Sequence, residues 1–463
     1  MARFGIGRML VATIAMTAGG GAQARDPLVV ATDLGSVRGV REVGESAGIE
    51  AFKGMPFAAP PVGALRWRAP QPAARWSGVR DAGRYAPDCM QLPFPSDAAP
   101  LGTAPAEDCL YANVWRPAGG AGKRPVLVWI YGGGFVNGGS SPPTYSGANL
   151  ARQGIVVVSF NYRLGRFGSF AHPRLDAAGA SREVDFGLLD QLAALRWVQR
   201  NIAAFGGDPA AVTIVGESAG GRSVHALLTA PEAQGLFRAA VVQSGGSAAP
   251  DATSIAVAEA AGIAFAAGKG IAADDPQAAV KLRALDPEAV VDGLNLATLG
   301  QAKGYSGPVP DGRHFVDVGT AYRAGRFARV PVMIGATSDD IGGASGPMIA
   351  GAREVAGLIA AQDVPVYYYR FDYVAGSART PQTRGAAHAT DIPFFFDTAA
   401  IKYGAAATPT DRTAARTMSR YLVDFVKTGD PGGSGGVRWR RYRAADRAML
   451  TLTPAGTATL APE

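Results

Sequence analysis

Six apolar runs of strand length punctuate the chain: "RPVLVWIYG" (124–132), "GIVVVSFNYR" (154–163), "AVTIVGES" (211–218), "FRAAVVQSG" (237–245), "VPVMIGA" (330–336) and "VPVYYYRFDYV" (364–374). Their apolar residues are continuous rather than alternating, which predicts strands buried on both faces. Between the second and third runs the spacing changes. In "DFGLLDQLAALRWVQRNIAAFGGDP", Leu188, Leu192, Leu195, Val198 and Ile202 recur at helical intervals, and Gly206-Gly207-Asp208-Pro209 ends the helix. Strands alternating with helices predict an α/β fold, with a largely parallel sheet covered by helices on both faces. Alternating segments from Leu28 to Val40 predict an antiparallel start to that sheet. No internal repeat and no long linker divides the chain, so residues 25–463 are read as one domain.

Composition narrows the class. With 463 residues, 48% hydrophobic and 18% charged, the chain can bury a sizeable core. Lys and Arg exceed Asp and Glu by 45 to 38, but the excess is scattered, and a nucleic-acid role is poorly supported. The first residues, "MARFGIGRMLVATIAMTAGGGAQARDP", have the parts of a secretory signal: basic Arg3 and Arg8, an apolar stretch from Met9 to about Ala18, and Ala22-Gln23-Ala24 as a cleavage site. Residues 1–24 are therefore read as a signal peptide, and the mature protein as secreted or periplasmic. The apolar stretch is short of the roughly 18–20 residues that span a bilayer, and no later segment spans either. Export gives the cysteine count meaning, because thiols outside the cytoplasm are commonly oxidised. A bridge between Cys89 and Cys109 would close a loop of about 20 residues and stabilise by roughly 3 kcal/mol. Two independent buried thiols are the alternative; a zinc site lacks the spacing.

Gly216-Glu217-Ser218-Ala219-Gly220 follows the third run and precedes the helical pattern "GRSVHALLTA". That context, strand before and helix after, distinguishes a G-x-S-x-G nucleophile elbow from a chance match in a glycine-rich chain. The turn is tight, so the residues two before and two after the serine must lack bulk. A serine that attacks an acyl carbon needs donors for the oxyanion, and "WIYGGGFVNGG" offers backbone amides at Gly132, Gly133 and Gly134. A phosphate cradle is the competing reading, but the Walker lysine and Ser/Thr are absent. The run matches the HGGG-type esterase loop, with Tyr131 in place of histidine. Four histidines compete for the role of base. His225 lies two turns along the elbow helix and packs; His172 precedes Pro173 in a loop; His314 sits in the turn-like "PDGRHF". His388, in "GAAHATDIPFFF", stands where the order serine, acid, histidine requires it. The acid should lie between, on a loop after a strand, where "VMIGATSDDIGG" offers Asp339 and Asp340.

These motifs together resemble the type-B carboxylesterases, the cholinesterase-like branch of the α/β-hydrolase fold, from about Gly35 to Tyr442. "FKGMPFAAPPVGALRWRAPQP" is similar to the family's N-terminal stretch, and "EDCLYANVW" to its EDCLYLN motif. "FGGDPAAVTIVGESAGG" is nearly its signature, and "FVKTGDP" matches its C-terminal helix end. The resemblance implies an α/β-hydrolase fold and a secreted serine carboxylesterase that hydrolyses small-molecule esters with no metal or organic cofactor. It implies Ser218 as nucleophile, His388 as base, Gly133, Gly134 and Ala219 as oxyanion donors, and Cys89–Cys109 as the family's first disulfide. The family usually has glutamate in a D-E-G sequence where this chain has Asp339-Asp340-Ile341. Aligned from Gly335, the acid is Asp340, with Asp339 as the fallback; Asp391 matches an acidic position that acts from behind the histidine.

Two other functions fit the same fold. One is a non-catalytic binding or adhesion protein. The other is an esterase for the polyacid side chains of fumonisin-type toxins. The ordinary histidine pKa places loss of activity near pH 6 to 7. Finally, only 47 residues separate Asp340 from His388, where family members place a longer helical insertion. "GGASGPMIAGAREVAGLIAAQD" leaves room for one or two short helices. A wide, exposed pocket is expected on that side, lined in part by Phe394, Phe395 and Phe396 and favouring bulky esters.

Overall fold

The structure, a computed structural model, describes residues 1, 2, 5, 26–94, 99–120, 122–175, 183–248 and 253–463. Arg3, Arg8, the apolar stretch from Met9 and the cleavage site at Ala24 lie outside the described residues. A small sheet joins β1 (Val29–Ala31), β2 (Ser36–Arg38) and β5 (Val79–Asp81). The large sheet is eleven-stranded. It comprises β3 (Val40–Arg41), β4 (Ile49–Pro56), β6 (Tyr111–Pro117), β7 (Arg124–Ile130), β8 (Val156–Phe160) and β9 (Gly207–Glu217). It continues with β10 (Ala239–Gln243), β11 (Val332–Thr337), β12 (Val366–Phe371), β13 (Ala448–Leu452) and β14 (Ala458–Pro462). The spatial order is β14-β13-β12-β11-β10-β9-β7-β8-β6-β4-β3.

The six apolar runs are β7 to β12 in chain order, and every pairing from β8 across to β13 is parallel. Antiparallel pairs close both ends: β3–β4, β4–β6 and β6–β8 on one side, β13–β14 on the other. The start of the sheet is therefore antiparallel, but most of Leu28–Val40 forms a hairpin in the small sheet, and only β3 reaches the large one. Every residue of β8, β10 and β11 is buried, which explains why these strands show no polar alternation.

The periodic segment forms a helix, Phe186–Asn201, which tightens into a 3-10 turn and ends where Gly206 adopts φ 80°. Helix Ala219–Thr229 packs on β9 and β10, helix Ile349–Ala360 on β11 and β12, and helix Pro409–Thr428 on β7 and β9. The last is delimited by its own sequence. Thr408 and Asp411 form a reciprocal capping box, Pro409 opens the first turn, and Gly429 ends it at φ 75°. Cys89 and Cys109 are disulfide-bonded. No helix among the described residues is long and apolar enough to cross a membrane.

In a parallel sheet of this kind the loops that leave the C-terminal ends of the strands gather on one edge, where ligands bind. The loop after β7 carries the glycine run, that after β9 Ser218, that after β11 Asp340, and that after β12 His388.

Candidate active site

Ser218 stands at φ 55°, ψ −120°, between the last residue of β9 and the first of helix Ala219–Thr229. Its amide is held by the Gln243 carbonyl at 2.9 Å. The small neighbours are a steric necessity. A Cβ on Gly216 would lie 2.3 Å from the Gly220 carbonyl oxygen, and one on Gly220 would lie 2.0 Å from that of Ile130. The backbone crosses itself at the turn, and the serine is left projecting.

The Ser218 hydroxyl lies 2.9 Å from His388 Nε2, and His388 Nδ1 lies 2.6 Å from Asp340 Oδ1. The carboxylate is held on every side. Oδ2 accepts from Ser244 Oγ at 2.6 Å, Thr337 Oγ1 at 2.8 Å and the Thr337 amide at 3.1 Å, while Oδ1 also accepts from the Ile341 amide at 2.8 Å. Burial alone would raise its pKa, but the bonds from His388, Ser244 and Ile341 outweigh that and bring it to about 2. Asp340 is therefore acceptor-only at neutral pH, so Nδ1 carries the proton; in the neutral imidazole Nε2 then accepts from Ser218. Asp339 turns the other way. It is half-exposed, its amide donates to the Ala386 carbonyl, and its carboxylate lies 3.8 Å from Arg384.

Two further acids surround the imidazole. Glu217 Oε1 lies 3.3 Å from His388 Nε2, and Asp391, wholly buried, accepts a long 3.4 Å bond from the Tyr369 hydroxyl. Burial pushes Glu217 up to about 8, reinforced by Asp391 and Asp340 and opposed by His388. Burial likewise pushes Asp391 up to about 7, with Asp340 adding to it. For His388, burial disfavours the cation, but the Asp340 bond and the charges of Glu217, Asp340 and Asp391 prevail and raise it to about 9. Glu217 and His388 are thus coupled: charge on the carboxylate favours the imidazolium, and the imidazolium favours charge on the carboxylate.

The pH dependence follows from that coupling. The base must be neutral to act, so kcat/KM is expected to fall along an acid limb above the ordinary histidine value of about 6.5, not at it. Glu217→Gln removes a charge that favours the imidazolium, so His388 loses its proton more readily and the limb moves to lower pH. A limb that stays in place or moves upward in this variant contradicts the assignment of the base.

The glycine run forms the facing wall. Gly133 and Gly134 adopt φ 104° and 64°, and a Cβ on Gly133 would strike the Asn137 carbonyl oxygen at 2.2 Å. Among the described residues the amides of Gly133, Gly134 and Ala219 donate to no protein acceptor, and all three residues border the same cavity as Ser218. Tyr131 does not face that cavity. It is buried and stacks on Tyr162 at 4.4 Å between ring centres, and the Tyr162 hydroxyl donates to the Tyr131 carbonyl at 2.8 Å. The next residue, Arg163, forms a buried two-pronged pair with Asp190 on helix Phe186–Asn201. The loop's entry is thereby tied to the helix layer.

The cavity measures about 710 Å³ and is bordered by Ser218, His388, the glycine run, Phe94, Ala99, Leu296, Leu299, Pro347 and Met348 among others. The short stretch after Asp340 forms a 3-10 turn, Gly343–Ser345, and helix Ile349–Ala360. Phe394, Phe395 and Phe396 do not line the cavity, contrary to the sequence-based expectation. All three are fully buried. The short helix Ile392–Phe395 is wedged against helix Pro409–Thr428, with Phe394 on Phe371 and Tyr373, Phe395 on Tyr369, and Phe396 on Trp129. Ile392 and Pro393 take the wall instead.

The other histidines lie elsewhere. His225 is buried, bonded through Nδ1 to the Tyr322 hydroxyl at 2.9 Å and pushed down by burial to about 3. His314 pairs with Glu232 at 2.8 Å, and His172 is buried beside its own loop backbone. Sequence reasoning named neither Glu217 nor Ser244 as a site residue. Glu217 stood inside the elbow motif, where an acid beside the serine was the available signal; Ser244 ends the apolar run of β10 with no local mark.

Comparison with known proteins converges on one family. A family model described as "Carboxylesterase family" matches residues 26–345 and 346–461. Fumonisin B1 esterase of Sphingopyxis macrogoltabida is 42% identical over 332 residues, which is 69% of this chain and 57% of that protein. Para-nitrobenzyl esterase of Bacillus subtilis (strain 168) is 47% identical over 224 residues, 47% of this chain and 44% of that one. Cholinesterase of Mus musculus is 37% identical over 335 residues, 69% and 55% of the two chains. These alignments span about half the length of the curated relatives. A solved structure of PNB esterase superposes with a TM-score of 0.83 at 30% identity, covering 94% of this chain and 97% of that chain, and has the α/β-hydrolase fold.

Proposed function

The chain belongs to the carboxylesterase family, and on that premise we propose that it is an exported serine esterase acting on small-molecule carboxylic esters. The reading is carried by the unbroken relay from Ser218 Oγ to His388 Nε2 and from His388 Nδ1 to Asp340, opening into a cavity of ligand size. Ser218 Oγ attacks the ester carbonyl carbon as its proton passes to His388 Nε2. The amides of Gly133, Gly134 and Ala219 receive the oxyanion, and Asp340 holds the imidazolium. His388 then returns the proton to the leaving alcohol, and the ester of Ser218 remains. Water, deprotonated by the same imidazole, releases the acid and restores the hydroxyl.

Export rests on the sequence pattern ending near Ala24 and is supported by the disulfide, a bond suited to oxidising compartments. A fluorophosphonate probe tests the mechanism, because it reacts with a serine only when base and oxyanion donors are assembled around it. Folded protein should be labelled at Ser218 and cleave 4-nitrophenyl acetate. Folded protein that takes no label and cleaves no ester would instead be a binding protein on the same fold.

A further inference from the structure

Backbone donors stabilise an oxyanion only while they stay aimed at it, and glycine resists rotation less than any other residue. The loop that carries Gly133 and Gly134 has five glycines in the eight residues 132–139. Its aim has to be imposed by contacts. Within the loop, the Val136 and Asn137 amides donate to the Gly133 carbonyl at 3.0 and 2.9 Å. Outside it stands Gln91, two residues beyond the disulfide at Cys89 and buried. Its side-chain amide grips both main-chain groups of Gly138: Oε1 accepts the N–H at 2.9 Å, and Nε2 donates to the carbonyl at 2.7 Å. Nε2 also donates to the Cys89 carbonyl at 2.9 Å, and Oε1 accepts from Asn137 Nδ2 at 3.1 Å. Both donors and both acceptors of the amide are engaged, so a flip would break every bond it makes.

Asn137 extends the brace. Fully buried, it also donates from Nδ2 to the Leu92 carbonyl at 2.8 Å, and its Oδ1 accepts the Leu296 amide at 2.9 Å. Leu296 and Leu299 lie over the oxyanion loop: a Cβ on Gly134 would meet their Cδ2 atoms at 2.8 and 3.3 Å. The loop is thus clamped between the segment that follows the disulfide and the one that carries two leucines of the cavity wall. The described residues bordering the cavity include Gly133, Gly134 and Gly138 but neither Gln91 nor Asn137, so neither side chain reaches a substrate bound there. Resting on the esterase reading, we propose that Gln91 and Asn137 are positioning residues, which hold the Gly133 and Gly134 amides on the oxyanion without touching the substrate. The route is short. The Asn137 amide is bonded to the Gly133 carbonyl, and a Cβ on Gly133 would strike the Asn137 carbonyl, so any displacement at residue 137 passes directly to Gly133.

Gln91→Met keeps the length of the side chain and removes its bonds to Gly138, Cys89 and Asn137; Asn137→Ala removes the other half of the brace. Each variant is assayed on 4-nitrophenyl acetate and on its thiono analogue, in which sulfur, a weaker hydrogen-bond acceptor, replaces the carbonyl oxygen. Aligned amides favour the better acceptor, so wild type should prefer the oxygen ester by about tenfold or more beyond the ratio that hydroxide gives for the same pair. In both variants kcat on the oxygen ester should fall about tenfold or more with KM within about threefold, part of the roughly 10²- to 10³-fold that outright loss of a donor costs. The preference for oxygen should shrink toward the hydroxide ratio. A ratio of two substrates within one variant does not depend on how much of that variant is folded. A merely structural role lowers the amount of active enzyme and leaves the ratio at its wild-type value; that result in either variant overturns the proposal, as does a wild-type ratio equal to that of hydroxide. Failure of wild type to cleave 4-nitrophenyl acetate at all overturns the esterase reading itself, which keeps the two failures apart.

Discussion

Ser218→Ala is expected to fold as the parent does and to lose turnover on 4-nitrophenyl esters by on the order of 10⁴-fold or more, the scale on which a triad member acts. The substitution removes one oxygen from a cavity wall and leaves the elbow intact, because alanine occupies no more space at Gly216 and Gly220 than serine does. The 2.9 Å contact to His388 is lost, while Asp340 continues to hold the ring at 2.6 Å. His388→Ala should cost a similar factor without a further multiplicative loss in the double variant, since each is useless without the other. Steady-state rates on matched amounts of folded protein decide the matter. Near-normal turnover by Ser218→Ala would remove the acyl-enzyme mechanism altogether.

Asp340→Asn should be the second large loss, on the order of 10³- to 10⁴-fold, because an amide in place of the carboxylate presents the wrong partner to Nδ1–H. Its surroundings make the change worse. Oδ1 receives the Ile341 amide and Oδ2 the Thr337 amide, so whichever position the new NH₂ group takes, it confronts a backbone N–H that cannot rotate away. Some loss of stability, about 1–3 kcal/mol, is expected alongside. Asp339→Asn alters a half-exposed side chain near Arg384 and should leave kcat within about threefold, in line with ordinary surface substitutions. If the ranking of the two variants is reversed, the orienting acid is Asp339.

Residues of this chain differ in how far the sequence alone located them. The parallel strands were legible because burial on both faces leaves an uninterrupted apolar run, and β7 to β12 are such runs. Ser218 and the glycines were legible because a crossing of backbones excludes side chains at fixed offsets. His388 and Asp340 followed from chain order and from likeness to a family. What stayed hidden depends on contacts distant in sequence. Ser244 meets Asp340 across 96 residues. Phe394 to Phe396 read equally well as a pocket wall or as core; only their packing against Pro409–Thr428, Phe371, Tyr369 and Trp129 decides it. Likewise, three acids around one imidazole, drawn from β9, the loop after β11 and the loop after β12, moved its titration away from the free-histidine value.

The backbone of Ser218, at φ 55° and ψ −120°, lies where a residue with a Cβ is held only at a cost of about 1–3 kcal/mol. Glycine adopts that conformation freely. Position 218 therefore sets thermal robustness against catalysis. A library sorted for heat resistance alone is drawn toward Ser218→Gly, a protein relieved of strain and stripped of its nucleophile. Directed evolution of this scaffold has to score turnover and melting temperature together, since at the residue that matters most to chemistry the two rank the variants in opposite order.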